Sequence, residues 1–383
     1  MLENTLKRGK SVFLFGARQT GKTTLINRFT PALSLNLIRP DVRQRYEKAP
    51  ALLTGEIEAC AASSGKTPPL VIVDEAQKVP QLMDVVQDLI DRKVAQFILT
   101  GSSARKLRRH ASANTLPGRV SILYLDPLST AEYTPGDVAE LMMYGSLPGI
   151  VTVKDPEDRE RDLADYVTTY LEEEIRAEAA TRNLGAFARF LEFAAAESGA
   201  IVNLRKAASD VGVAHTTIAG YYQILEDCLI AARIEPLCVS ATRHKLTKSD
   251  RFLFFDLGVR RVAAHEGRTL DRVRLGTLFK QFVGLELLRA LHARKIKGRL
   301  KFWRDPDGPE VDWLIDHEGD YAPIEVKWTD APTLSDVRHL QTFLAEYPTA
   351  RHAYLVCRTP RKIALSRSIT ALPWHSFIAE LSD

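Results

Sequence analysis

The sequence predicts an α/β chain in three successive parts, on three observations. The first is an octapeptide, Gly16-Ala17-Arg18-Gln19-Thr20-Gly21-Lys22-Thr23, set between an apolar run at 12–15 and a helix-like segment at 24–29. The second is a series of short apolar runs, most of them separated by helical patterns, as far as residue 125. The third is a pair of short strands within 310–327, joined by a Gly319-Asp320 turn and carrying acidic residues and a lysine.

The octapeptide fits G-x-x-x-x-G-K-[ST], the phosphate-binding loop, and its strand–loop–helix setting is the one that motif requires. Glycines let backbone N–H groups turn toward phosphate oxygens, and the following helix adds the positive end of its dipole. Gly16, Ala17, Arg18, Gln19, Thr20, Gly21, Lys22, Thr23 and Thr24 are therefore the expected contacts to ATP. Lys22 would reach the terminal phosphates and the Thr23 hydroxyl would ligand Mg²⁺.

Four more apolar runs follow, at 35–38, 70–73, 97–99 and 122–125. Strands alternating with helices predict a parallel sheet covered on both faces, and continuous apolar runs suit buried parallel strands. The second of these runs ends in Asp74-Glu75. This is the Walker B arrangement, with Asp74 for Mg²⁺ and Glu75 for the attacking water. The third ends in Thr100-Gly101-Ser102-Ser103, where Thr100 reads either as a γ-phosphate sensor or as part of a turn. Arg119 is the expected finger on the γ-phosphate, in cis or from a neighbouring subunit. Arg105, Arg108 and Arg109 compete for that role.

These motifs resemble one family. The octapeptide with Thr24-Leu25, then Val73-Asp74-Glu75-Ala76-Gln77, Leu99-Thr100-Gly101-Ser102-Ser103, Gly118-Arg119-Val120 and Leu125-Asp126-Pro127-Leu128-Ser129, are similar to the AAA-type ATPases whose C-terminal half is called domain of unknown function 4143. The resemblance spans nearly the whole chain. It implies an AAA-like P-loop NTPase domain, ATP binding, and motif roles for Lys22, Thr23, Asp74, Glu75 and Arg119.

The middle reads as helical and winged-helix-like. Leu163, Tyr166, Val167, Tyr170 and Leu171 form one apolar face. Residues 203–213 and 215–226 are two helices joined at Gly212, the helix-turn-helix pattern. The segments 230–236 and 252–255 would form the wing. One reading puts the second helix, with Thr216, Thr217, Tyr221, Tyr222 and Gln223, into a DNA groove, with Arg243, Lys245, Lys248 and Arg251 on phosphates. The other makes the module a packing unit, since that helix lacks the Arg or Lys that reads guanine.

In the last third, Asp312 lies on one strand of a hairpin, with Glu325 and Lys327 two apart on the other and so on one face. The pattern resembles the PD-(D/E)XK nuclease fold, which implies carboxylates on Mg²⁺ and a lysine that positions or activates water. Glu286, in a helix over 278–291, fits the fold's further acidic ligand. Lys280 departs from the pattern, standing where a glutamate is expected, and would compete with a bound cation.

Composition bounds the rest. The chain has 383 residues, 45% apolar and 26% charged, which fits a globular protein rather than a disordered or fibrous one. No apolar run approaches the ~20 residues of a membrane span, no signal peptide is legible, and four scattered cysteines read as reduced thiols. A cytoplasmic protein with no membrane partner is expected. The net charge of +4 hides a stretch, 231–300, with 16 Lys/Arg against 6 Asp/Glu, an excess of 10 that leaves −6 elsewhere. It reads either as a nucleic-acid footprint or as charge spread over solvated faces.

The sequence thus predicts an ATPase domain at 1–150, a helical, winged-helix-like segment at 151–265 and a nuclease-like α/β domain at 266–383. ATP and Mg²⁺ are the expected cofactors. Hydrolysis would move a C-terminal half that engages nucleic acid, DNA ahead of RNA. The alternative is a nucleotide-controlled protein-interaction switch with a degenerate nuclease fold. A DNA-binding regulator is a third reading. Completion of the ATP site by a neighbouring copy in a homo-oligomer is expected from AAA-type sites.

Overall fold

The computed structural model describes residues 1–63, 67–103, 118–171, 183–240, 246–306 and 308–382. Arg105, Arg108, Arg109, Arg243 and Lys245 lie outside them. Contacts divide the chain into two units, Met1–Asp126 with Asp227–Ile230, and the described residues otherwise from Pro127 onward.

The first unit contains α1 (Leu2–Lys7), β1 (Ser11–Phe15), α2 (Lys22–Ile26), β2 (Leu33–Asn36), α3 (Pro40–Lys48), α4 (Leu52–Ser63), β3 (Leu70–Asp74), a 3₁₀ turn (Ala76–Lys78), α5 (Leu82–Asp91), β4 (Gln96–Gly101) and β5 (Val120–Tyr124). The strands form one parallel sheet in the order β2-β3-β4-β1-β5. Alternate residues face opposite ways along a strand. Phe13, Phe15, Val71, Val73, Phe97 and Leu99 accordingly pack one face against Leu53, Leu82, Val86 and Leu89 of the helices. Val12, Leu14, Ile72, Ile98 and Leu123 pack the other against Leu2 and Ile26. Each such buried side chain contributes about 2 kcal/mol of transfer free energy. Burial on both faces explains why these strands read as unbroken apolar runs. The order also sets β4 between β1 and β3, so the tip of β4 lies between the phosphate loop and Asp74.

The second unit begins with α6 (Val138–Tyr144), α7 (Pro148–Thr152), α8 (Pro156–Asp165) and a π-helical turn (Tyr166–Leu171). Then come α9 (Leu184–Ala196), α10 (Leu204–Val211) and α11 (His215–Asp227). Asn203 caps α10 by accepting from the amides of Arg205 and Lys206 at 3.1 Å, and Gly212 ends it in the left-handed region. Two helices joined at Gly212 thus form at the expected residues. Of the side chains named on the second helix, Tyr221 and Tyr222 are core residues, 4% exposed and packed on Phe187, Phe190 and Phe252, as the packing-unit reading requires.

The chain then forms β6 (Ala231–Pro236), β7 (Arg251–Phe254), α12 (Leu257–Ala263), α13 (Arg272–His292), β8 (Arg299–Arg304), β9 (Glu310–His317), β10 (Asp320–Val326), α14 (Arg338–Glu346), β11 (Ala353–Cys357), β12 (Ile363–Ala364), β13 (Ile369–Pro373) and α15 (Phe377–Ser382). The hairpin read as a wing, β6 and β7, is the edge of a mixed eight-stranded sheet, β12-β13-β11-β10-β9-β8-β6-β7. The backbone carries the continuity: β6 pairs in parallel with β8, Glu235 beside Lys301 and Pro236 beside Phe302. Phe279, Phe282 and Val283 of α13 cover Trp313, Ile324 and Val326. Leu340 and Phe343 of α14 pack with Trp303, Leu314 and Leu355. Gly284 lets α13 approach, since a Cβ there would lie 2.5 Å from the Trp313 ring.

No helix among the described residues is long and apolar enough to cross a membrane.

Candidate functional site

β1 ends in the loop, and α2 begins at Lys22. Gly21 takes φ +95°, a value only glycine adopts without cost. Gly16 is required for space: a Cβ would stand 2.5 Å from the Leu125 carbonyl oxygen and 2.8 Å from Thr20 Oγ1. Thr20 Oγ1 donates to the Ala17 carbonyl at 3.0 Å. Lys22, 6% exposed, donates from Nζ to the carbonyls of Gly16 at 2.8 Å and Ala17 at 2.9 Å. Gln19 and Thr24 are exposed and Arg18 is half-buried.

Asp74 ends β3 and is buried. Thr23 Oγ1 donates to its Oδ2 at 3.3 Å, and Thr100 Oγ1 donates to its Oδ1. Thr100 also accepts the Glu75 amide at 3.0 Å. Topology brings these residues together: Thr23 comes from the loop, Asp74 from β3 and Thr100 from the strand between. A hydroxyl and a carboxylate beside a lysine make a hard-oxygen set suited to Mg²⁺ with a triphosphate.

Glu75 takes φ 58° and ψ 48°, left-handed for a residue with a Cβ. Such a conformation costs about 1–2 kcal/mol and turns the carboxylate out of the strand direction. That carboxylate accepts from Gln77 Nε2 and, at 3.2 Å, from Ser102 Oγ, while Gln77 Nε2 also lies 3.0 Å from Ser102 Oγ. Gln77 is 3% and Ser102 1% exposed. Neither carried a role in the sequence reading. The signal was present in the Asp-Glu-Ala-Gln run and in the polar tip of β4. Gly101 makes room, since a Cβ there would stand 3.1 Å from Gln77 Oε1.

Arg119 lies elsewhere. It precedes β5, whose Val120 pairs with Ser11, the first residue of β1, while the loop follows Phe15, which pairs with Tyr124. Five strand residues at about 3.3 Å each separate the two ends. Its guanidinium pairs with Asp91 at 2.5 Å, at the end of β5 away from the loop.

In the second unit the hairpin register pairs Trp313 with Ile324, which puts Asp312 beside Glu325 at the next step. Asp312 is 1% and Glu325 3% exposed. Asp312 Oδ2 accepts the Val326 amide at 2.9 Å, and Lys327 Nζ donates to Glu325 Oε1 at 2.8 Å. Glu325 Oε2 is buried without a hydrogen-bond partner. Burial pushes the Glu325 carboxyl up to about 8, the Asp312 charge adds to this, and Lys327 opposes it. Lys280 of α13 brings Nζ to 2.5 Å from Asp312 Oδ1 and 3.5 Å from Glu310 Oε1. Burial lowers the Lys280 ammonium, but Asp312 and Glu310 outweigh it and hold the group above its ordinary value.

Two expectations are corrected here. Glu286 does not join this group: its carboxylate accepts from the Thr130 amide at 2.9 Å and hydroxyl at 2.6 Å, and from Arg289 at 2.8 Å. Six residues from Lys280 it faces another side of α13, where it holds the segment before α6. Arg251 is not an exposed phosphate contact but a core residue, 3% exposed, stacked 4.1 Å from the Phe302 ring and donating to the Asp312 carbonyl and to Glu310. Arg260, Arg261 and Arg289 are likewise buried. Part of the basic excess at 231–300 is therefore internal pairing.

Comparison with known proteins gives three family matches: an AAA domain over residues 8–134, a domain of unknown function (DUF8612) over 136–269, and a domain of unknown function (DUF4143) over 275–377. Residues 8–134 thus match an AAA-type domain and residues 275–377 a C-terminal DUF4143 domain. Two uncharacterized proteins, of Mycobacterium tuberculosis and Mycobacterium bovis, are each 28% identical over 380 residues, 97% of this chain and 82% of theirs. Among solved structures, a DNA polymerase III gamma subunit-related protein of Thermotoga maritima is 13% identical with a TM-score of 0.25, covering 59% of this chain and 97% of its own. Can2 of Sulfobacillus thermosulfidooxidans, in complex with cyclic tetra-adenylate, is 11% identical with a TM-score of 0.23, covering 97% of this chain and 98% of its own.

Proposed function

We propose that this chain, in which an AAA domain precedes a DUF4143 domain, is a Mg²⁺-dependent ATPase whose nucleotide cycle moves a C-terminal half that engages nucleic acid. The observation that carries the reading is the convergence of Lys22, Thr23, Asp74, Thr100 and Glu75 at the tips of β1, β3 and β4. Thr23 and Asp74 would hold the metal, which supplies charge neutralisation on the phosphates. Lys22 would exchange its carbonyl partners for phosphate oxygens. Glu75, oriented by Gln77 and Ser102, would take the proton of the attacking water. Arg119 would act on the nucleotide of a neighbouring copy in a homo-oligomer, since its own lies at the other end of β5.

The test is the steady-state ATPase rate, with Lys22→Ala as the blank. Hydrolysis by the parent chain that is absent from the variant supports the reading; equal rates remove it.

The nucleic-acid part of the reading, that the C-terminal half binds DNA, is favoured by one surface feature. Arg294, Lys295, Lys297 and Arg299, around the turn between α13 and β8, are all exposed. Cations so grouped suit backbone phosphates rather than base edges. A filter-binding titration on duplex and single-stranded DNA checks it. Affinity that falls with salt, and that Lys295→Glu with Lys297→Glu weakens, is expected; no salt-sensitive affinity removes it. Stimulation of the ATPase rate by DNA would join the two halves functionally.

A further inference from the structure

We propose that the carboxylate centre of the eight-stranded sheet is a divalent-cation site closed by the protein's own cation: the Lys280 ammonium stands where a metal ion would be bound. The inference is independent of the ATPase reading.

The carboxylates have the chemistry of such a site. Asp312 and Glu325 are neighbours across the β9–β10 register, both buried, and Glu310 lies two residues before Asp312 on β9. Glu325 Oε2 is enclosed and accepts no hydrogen bond, and Asp312 Oδ1 meets only the Lys280 ammonium. Hard divalent ions take carboxylate oxygens at about 2.0–2.6 Å. Lys280 Nζ pairs with Asp312 Oδ1 at 2.5 Å and reaches Glu310 Oε1 at 3.5 Å, so the ammonium occupies the side of Asp312 that an ion would approach. An ion bound to Asp312 through that oxygen would have to displace the ammonium.

The neighbouring pairs tighten the closure. Lys327 holds Glu325 Oε1 at 2.8 Å, while Arg304 and Arg251 reach Glu310 at 3.2 and 3.3 Å. Three carboxylates therefore meet four basic side chains, a balance that repels a second cation. Among the described residues no group of three or more His, Cys, Asp or Glu is placed to hold a metal ion. Asp312 and Glu325 thus lack the third donor that a metal ion needs, and α13 supplies a cation beside them instead. The side chain at 280 is the determinant: a carboxylate there would add an oxygen donor and remove the competing charge.

The experiment is a Mn²⁺ titration of the full chain without nucleotide, by calorimetry, on the parent, Lys280→Glu, Lys280→Gln and the double variant Lys280→Glu with Asp312→Asn. Lys280→Glu is expected to bind about one ion more per chain than the parent, and the double variant to lose it. Lys280→Gln, which keeps the side chain's bulk and removes the charge, is expected to gain the same ion more weakly, so the test stands if the glutamate variant does not fold. Identical stoichiometry and affinity in the parent and the folded Lys280 variants overturn the proposal. So does an ion in the parent that Asp312→Asn removes.

Discussion

Gln77 donates its side-chain amide to the Glu75 carboxylate from two residues away, across a backbone that turns left-handed at Glu75 itself. Ser102, at the tip of β4, touches both groups. The carboxylate is thereby held by neutral donors, an orientation that suits the base role proposed for it.

That arrangement separates two variants. Glu75→Gln removes the base and is expected to lower kcat for ATP by about 10²-fold or more. Gln77→Leu leaves the base but releases its orientation. Losing one such hydrogen bond, about 1–1.5 kcal/mol, lowers kcat roughly ten-fold with KM nearly unchanged. Steady-state kinetics over a range of ATP concentrations checks both. A Gln77→Leu enzyme at parental kcat would remove the orienting role of Gln77.

Gly16 predicts a steric failure. In Gly16→Ala the new methyl meets the Leu125 carbonyl oxygen at 2.5 Å, and that atom is backbone. The loop or β5 must shift, which costs about 1–3 kcal/mol. Thermal melts should show the loss, and titration with a fluorescent ATP analogue should show weakened binding. Unchanged affinity would mean that the loop rearranges before nucleotide enters.

Arg119 predicts a dependence on concentration. On the proposed reading, a residue at that end of its strand acts on the nucleotide of another copy. ATPase activity per chain should rise with concentration for the parent and stay flat for Arg119→Ala. A dilution series measures it, and parallel curves would exclude Arg119 from the chemistry.

Glu325 predicts a pH dependence of stability. Its carboxyl, at about 8 when folded, ionises near its ordinary 4.5 once the chain unfolds. The folded state therefore binds more protons across that interval. The contribution to stability is fully present below 4.5 and is lost as pH rises through about 8. The melting temperature of the parent relative to Glu325→Gln should accordingly fall as pH rises from about 5 to about 8. A constant difference between the two would contradict the burial argument.

The sequence by itself determined the N-terminal architecture. The loop motif, the buried parallel strands, Asp74-Glu75 and Thr100 are local patterns, and a parallel sheet brings strand tips together wherever such strands pair. The same locality made the β9–β10 hairpin and the Glu325–Lys327 spacing legible, because a strand's alternation is written residue by residue. Only the tertiary structure decided which charged side chains are surface and which are core. Arg251, Arg260, Arg261 and Arg289 look like a basic face in sequence, yet long side chains in the interior pair with carboxylates and carbonyls far along the chain. Glu286 is claimed by Thr130, 156 residues away. Arg119 is carried to the far end of β5 by strand direction, which no local pattern encodes. Lys280 stood out in sequence as a departure. That its ammonium lies against Asp312 follows from how α13 packs on the sheet, a matter of three-dimensional contact rather than spacing.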